Sequence, residues 1–325
     1  MSRLKVVVTD TVFDSIEPEQ RVLQDVADVV LAPASDPATL RSALVDADGV
    51  LNCYARLDPD LVRGLTKCRI IARYGIGLDT IPIEAATEAG IVVTNVPDYC
   101  IEEVADHTLA LLLSLARGLG PGAKATRTGG WGLKALPPLR RLRGQTLALL
   151  GFGRIARAVA ERARAFGLRV VVHDPYVPEQ LIRDEGAIRV DFATALREAD
   201  FLSLHAPLTE QTYHMLDATA LAQMKASAYL LNTSRGGLVD TNALVTALSA
   251  GRPAGAGLDV LETEPPPPDH PLRGMDNVIL TPHAAFFSKE ALTELEVRAA
   301  EEVARVLRGE APRSPANTVA LKAGI

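Results

Sequence analysis

Leu147-Ala148-Leu149-Leu150-Gly151-Phe152-Gly153-Arg154-Ile155-Ala156 reads as a buried strand that turns sharply into a helix. Gly151 is placed for the tight turn, and Gly153 leaves the backbone bare where the helix begins. Ala156 is small enough for that helix to pack closely on the strand. An Ala-rich stretch continues to Phe166, Gly167 stops it, and Arg169–His173 forms the next strand, ending at Asp174. Strand, glycines, helix, second strand and acid, in that order, are the requirements of a dinucleotide site. The helix N-terminus offers unpaired N–H groups and a partial positive charge to a pyrophosphate. Asp174 falls about 20 residues after Gly153, where a carboxylate accepts ribose hydroxyls. It would repel a 2′-phosphate and no arginine follows it directly, so the expected cofactor is NAD.

Apolar runs of strand length alternate with amphipathic helical stretches on both sides of this unit. Upstream, Val6–Val8, Val29–Leu31, Val50–Leu51, Ile70–Ala72 and Ile91–Val93 read as strands, with helical composition in Pro59–Gly64 and Ile83–Ala89. Downstream, strands are expected at Phe201–His205, Tyr229–Asn232, Gly257–Val260 and Val278–Leu280. A helix over Ile101–Arg117 should end in the breakers Gly118, Gly120, Pro121 and Gly122, followed by a Gly129–Gly144 loop. The last helix, Lys289–Leu307, has Ser288 as its cap. Such alternation predicts an α/β protein with parallel sheets covered by helices on both faces.

At 325 residues the chain exceeds what one core usually serves, so two domains are expected. With 48% hydrophobic and 23% charged residues it has the balance of an ordinary globular protein. A net charge of −6 argues against a nucleic-acid partner, which requires a basic face. The apolar stretch Leu109–Ala116 is far shorter than the roughly 20 residues that span a bilayer, so no membrane partner is expected. Cys53, Cys68 and Cys100 show neither metal-ligand spacing nor an even disulfide set. A reducing cytoplasm and no metal are therefore expected.

Six histidines make the search for an acid/base short. His283 lies just past a strand, in Thr281-Pro282-His283-Ala284-Ala285; Arg235 follows another in Asn232-Thr233-Ser234-Arg235-Gly236-Gly237; Glu264 follows a third. Ligands in open α/β sheets bind beyond the carboxyl ends of strands. Spacing alone does not bring the three together. His107 reads as structural, His214 and His270 as surface residues, and His205 as either a cofactor-cleft residue or one satisfied by backbone.

Several further stretches match in order: His173–Tyr176, His205-Ala206-Pro207-Leu208-Thr209, Asn232–Asp240, Gly257–Pro265 and Thr281–Ser288. Over nearly its full length the sequence resembles the D-isomer-specific 2-hydroxyacid dehydrogenase family. Asp98–Glu103 and His283–Ser288 resemble most the branch of the C-terminal-binding corepressors and their bacterial relatives. The resemblance implies two doubly wound parallel-sheet domains. Residues 1–100 with 295–325 would form a flavodoxin-like substrate domain, and 101–294 an inserted Rossmann NAD domain, with the active site in the cleft between them. It implies that Arg235 binds the carboxylate and keto oxygen of a 2-keto acid, a planar anion that suits a guanidinium fork. His283 would give and take the proton, and Glu264 would orient it and favour its charged form.

Gly151, Gly153, Arg154, Ile155, Asp174, His205, Pro207, Thr233, Asp259 and Thr108 would touch the cofactor, Asp259 through the nicotinamide carboxamide. Tyr74, Gly75 and Ile76 would form a carboxylate-binding backbone loop with Gly77, beside Arg73. Phe286 and Phe287 would wall an apolar side-chain pocket. A homodimer is implied, with Ile101–Arg117 and Gly129–Arg143 as its expected interface. Glu264 stands where formate dehydrogenases carry glutamine, and the short tail after the last helix leads us to expect no added regulatory domain. Two other activities remain open: an NAD-sensing scaffold with little turnover, and oxidation of another small oxyanion such as phosphite.

Overall fold

In the computed structural model, residues 3–33 and 36–320 are described. The chain forms two compact units: Met1–Tyr99 with Ser288–Ile325, and Cys100–Phe287.

The first unit holds five parallel strands, β1 (Leu4–Val8), β2 (Ala27–Leu31), β3 (Gly49–Asn52), β4 (Ile70–Arg73) and β5 (Val92–Thr94). Their order, β2-β1-β3-β4-β5, is the flavodoxin-like winding. Every residue of β3 and β4 is buried, which is why Val50–Leu51 and Ile70–Ala72 are unbroken apolar runs and not alternating ones. Edge strand β2 exposes Asp28, Val30 and Leu31. Asp36 and Asp58 cap helices that begin with Pro37 and Pro59, where a missing N–H loses nothing. The Lys289–Leu307 helix returns to pack on this unit along its length, burying Leu295, Ala299, Ala300, Val303 and Leu307. The second crossing between units therefore falls at Phe287/Ser288, earlier than the expected 294/295.

The second unit holds β6 (Thr146–Leu150), β7 (Arg169–His173), β8 (Ile188–Arg189), β9 (Phe201–Leu204), β10 (Tyr229–Asn232), β11 (Gly255–Leu258) and β12 (Val278–Leu280). All are parallel, in the order β12-β11-β10-β9-β6-β7-β8. This is a Rossmann sheet with a seventh strand, and its order reverses between β6 and β9. Alternate residues of β6 feed two cores. Leu147 and Leu149 pack with the Ile101–Ala116 and Arg154–Ala165 helices, while Ala148 and Leu150 pack with Leu196, Leu221, Leu244 and Leu248 on the other face.

Two local expectations are corrected. A second helix, Leu119–Arg127, runs through Gly120-Pro121-Gly122. Left-handed Gly118 (φ 59°) redirects the chain, and Pro121 falls within the first turn, where N–H groups have no intrahelical partner. Strand β11 ends at Leu258, so Asp259 already lies beyond the strand end. No helix among the described residues is long and apolar enough to cross a membrane.

Candidate active site

At the β6–β9 reversal, Gly151 adopts φ 94° and its N–H donates to the His173 carbonyl at 2.9 Å. A Cβ here would lie 2.6 Å from the His205 carbonyl oxygen, so no side chain fits. A Cβ at Gly153 would instead project into open space at the head of the Arg154–Ala165 helix. That helix, like five other α-helices among the described residues, has no side-chain cap. Uncapped amides beneath open space suit the phosphates of a dinucleotide, so the residues present fit a nicotinamide cofactor. Ile155 is half-buried in this first turn and Arg154 is exposed.

Asp174 is already engaged. Its Oδ2 accepts from Phe152 N (2.8 Å), and its Oδ1 accepts from Tyr176 N (2.8 Å) and Val177 N (3.2 Å). The acid thus ties the glycine turn to the end of β7, and a carboxylate retains acceptor capacity beyond three bonds. Beside it opens a cavity of about 610 Å³ lined by His173, Pro175, Arg189, Val190 and Asp191. His205 bonds the Ser203 hydroxyl at 2.8 Å, and burial pushes its imidazole down to about 4, leaving it neutral at physiological pH. The Pro207 carbonyl accepts from Thr212 Oγ1 at 2.7 Å. Thr108, on the Ile101–Ala116 helix, donates to the Val104 carbonyl (2.7 Å) and lies 2.8 Å from the Thr233 hydroxyl. Having spent its one proton, Thr108 accepts and Thr233 donates.

Arg235, Asp259 and His283 follow the carboxyl ends of the adjacent strands β10, β11 and β12. Asn232 shapes the Arg235 turn, accepting from Ser234 N (3.0 Å) and donating to the Arg235 carbonyl (2.9 Å). The guanidinium Nη1 reaches the Ser234 carbonyl at 2.8 Å. A Cβ on Gly236 would fall 1.9 Å from the Leu261 carbonyl carbon, so this turn lies directly against the loop that carries Glu264. Glu264 Oε1 accepts from Leu261 N (2.8 Å), and Oε2 lies 2.6 Å from His283 Nδ1. With Nδ1–H donated to Glu264, proton exchange by the ring would run through Nε2.

His283 holds φ 52°, a left-handed conformation uncommon outside glycine. Asp259 over-determines it. The Asp259 carbonyl accepts from His283 N (2.8 Å), Oδ1 from Thr281 Oγ1 (2.5 Å) and Ala284 N (2.9 Å), and Oδ2 from Ala285 N (2.9 Å). Because Thr281 donates to Asp259, its oxygen accepts from His107 Nε2 at 3.0 Å, which places the His107 proton on Nε2. Phe286 stands edge-on to His283 with ring centroids 6.3 Å apart, while Phe287 is 61% exposed.

Sequence reasoning missed a second His–Glu pair. His214 (φ 51°), expected at the surface, lies 2.5 Å from Glu262 Oε1, and Glu262 Oε2 accepts from Thr241 N. This anchors the segment leading to Glu264. The one available signal was Glu262 two residues before Glu264 after a strand. His270 is likewise not simply exposed; its Nδ1 caps the Pro271–Gly274 turn.

In the first unit, the N–H groups of Tyr74 and Gly75 donate to the carbonyls of Asn52 and Arg73. The loop's outer carbonyls are also tied, Gly75 to Val96 N and Ile76 to Asn95 Nδ2. The N–H groups of Ile76 and Gly77 have no partner among the described residues. Tyr74 differs from expectation: amide and phenol are both engaged inside the unit, the phenol donating to Glu19. Cys53, Cys68 and Cys100 are buried, and no metal-holding cluster occurs among the described residues.

The profile of the D-isomer-specific 2-hydroxyacid dehydrogenase NAD-binding domain matches residues 109–285. The chain belongs to the D-isomer-specific 2-hydroxyacid dehydrogenase family. Family members are nicotinamide-dependent oxidoreductases acting on CH–OH groups. The chain is 42% identical over 270 residues to a glyoxylate reductase of Korarchaeum cryptofilum, covering 82% of this chain and 81% of that one. It is 37% identical over 316 residues to a D-3-phosphoglycerate dehydrogenase of Methanocaldococcus jannaschii, covering 97% of this chain but only 59% of that longer relative. Among solved structures, it is similar to an NADPH-dependent glyoxylate/hydroxypyruvate reductase of Sinorhizobium meliloti, bound to NADP and malonate. The TM-score is 0.86 and the identity 30%, over 100% of both chains.

Proposed function

We propose that the protein interconverts a D-2-hydroxy acid and its 2-keto acid with NAD as cofactor. The observation that carries this reading is the His283 Nδ1–Glu264 Oε2 contact of 2.6 Å on a turn fixed by Asp259. When bound, the nicotinamide supplies or takes the hydride. The chain's own residues do the rest. Gly151, Gly153 and the first turn at Arg154 and Ile155 hold the pyrophosphate, Asp174 the ribose, and Thr108, Thr233, His205, Pro207 and Asp259 the remainder of the cofactor. Arg235 binds the carboxylate and keto oxygen by charge-assisted hydrogen bonds. His283 donates a proton from Nε2 to that oxygen in reduction and takes it back in oxidation, while Glu264 fixes the ring. The open amides of Ile76 and Gly77 receive the substrate carboxylate, and Phe286 supplies an apolar wall.

Asp174 favours NAD, since a 2′-phosphate would meet a carboxylate. Three buried cysteines outside any disulfide suit the cytoplasm. A homodimer accounts for Trp131 (89% exposed) and Leu133 (86%), which leave apolar surface uncovered on the segment after the Leu119–Arg127 helix. NADH oxidation measured with glyoxylate, hydroxypyruvate, phenylpyruvate and branched-chain keto acids tests the reading. Turnover of at least one is expected; NADH binding with no turnover of any would favour a scaffold.

A further inference from the structure

Tyr74 carries the loop that presents the Ile76 and Gly77 amides, yet its own side chain turns away into the unit's interior. The ring is 2% exposed, stands edge-on to Phe13 with centroids 5.2 Å apart, and donates its hydroxyl to Glu19 Oε1 at 2.6 Å. Glu19 belongs to the short Glu17–Leu23 helix and is fully buried. Its second oxygen, Oε2, has no partner among the described residues. An ionised carboxylate cannot stand so without a large desolvation cost, whereas a neutral acid can. Glu296 on the Lys289–Leu307 helix faces Glu19 and also Asp14, which lies on the loop before the Glu17–Leu23 helix, adding negative field. Burial pushes the Glu19 carboxyl up and, with Glu19 beside it, the Tyr74 phenol up. No cation bonds Glu19 among the described residues, so nothing in the cluster serves a salt bridge.

We infer that Glu19 is a positioning residue for substrate binding, its buried acid latching Tyr74 and so holding the Ile76–Gly77 amides in place. The inference rests on the proposed reading that those amides receive the substrate carboxylate. Glu19 touches no ligand in this account; it acts through the Tyr74 backbone, one residue from Gly75.

The test compares Glu19→Ala, Glu19→Gln and Tyr74→Phe with the wild type. Glu19→Ala leaves a buried phenol without an acceptor and Tyr74→Phe removes the donor. Each should raise KM for the keto acid on the order of tenfold while kcat and NADH affinity hold within about twofold. Glutamine keeps the acceptor oxygen and stays neutral, so Glu19→Gln should restore a near-wild-type KM. Hydrogen–deuterium exchange gives a readout independent of substrate, with amides 75–78 exchanging faster in Glu19→Ala and Tyr74→Phe only. Unchanged exchange and unchanged KM would overturn the latch. Faster exchange with unchanged KM would overturn its substrate role and place the fault in the assignment of this loop to the carboxylate. Equal losses in KM, kcat and NADH affinity would overturn it as general destabilisation.

Discussion

Both sheets reverse their winding once, between β1 and β3 in the first unit and between β6 and β9 in the second, yet the two crevices are finished differently. In the first, Asp10 closes the loop on itself. Its carboxylate accepts from Cys53 N (3.3 Å), Tyr54 N (2.8 Å) and Ala55 N (3.1 Å), and from the Thr9 hydroxyl (2.6 Å). In the second, the helix at Gly153 has no cap and a bare glycine faces open space. Winding creates a crevice in both cases. Whether it takes an anion depends on whether the protein has already supplied one, since a helix end or loop whose N–H groups meet a carboxylate has nothing left to offer.

Gly151→Ala should have the largest effect. Its Cβ would meet the His205 carbonyl at 2.6 Å on a backbone at φ 94°, and NADH affinity should fall on the order of a hundredfold by fluorescence titration. Retained affinity would mean the open crevice is not the nucleotide site. Asp10→Ala should act in the opposite sense, costing about 2 kcal/mol in urea unfolding because N–H groups lose their acceptor, with NADH affinity unchanged. A loss of NADH affinity there would erase the distinction between the two crevices. Asp174→Ala should shift the NADP/NAD preference several-fold toward NADP, with some loss of stability from its three backbone partners. An unchanged cofactor ratio would leave Asp174 a purely structural tie.

The smallest effect concerns Glu296, which burial and the nearby Glu19 and Asp14 push up to about 7 from an ordinary value of 4.5. A carboxyl whose folded value is raised binds its proton more tightly folded than unfolded. Its contribution to stability is complete below pH 4.5 and lost as pH rises through about 7. Thermal melts should therefore show a downward slope over that window that Glu296→Gln flattens. Equal slopes would show that another group governs it.

The two crevices were unequally legible in sequence. Gly151–Asp174 is one contiguous segment whose strand, turn and helix are local, so spacing alone described it. Asp10 gave no signal, because an acid after a strand is common and its three backbone partners lie more than forty residues away. The same holds at the catalytic loops. Asn232, Gly236 and Asp259 join the ends of three strands, and no local pattern shows that Glu264 reaches His283; that expectation rested on the family resemblance. Asp259 was expected to serve the nicotinamide, but its visible work is to hold the His283 turn. The Leu119–Arg127 helix was hidden because glycine and proline are breakers in a helix interior and tolerable in its first turn. Tyr74 was expected in the substrate loop on the family resemblance alone, which speaks of a backbone loop and does not tell which way the side chain turns.

In the proposed reaction His283, oriented by Glu264, moves the proton. The direct measurement is keto-acid reduction by wild type and His283→Asn, with NADH affinity measured alongside and wild-type rates followed in both directions against pH. Turnover should fall by about 10²–10⁴ in the variant while NADH binds as before. In the wild type, reduction should fail as pH rises and oxidation as pH falls, because one imidazole must be charged in the first and neutral in the second. Near-normal turnover of His283→Asn, or opposed limbs that share no common group, would contradict it.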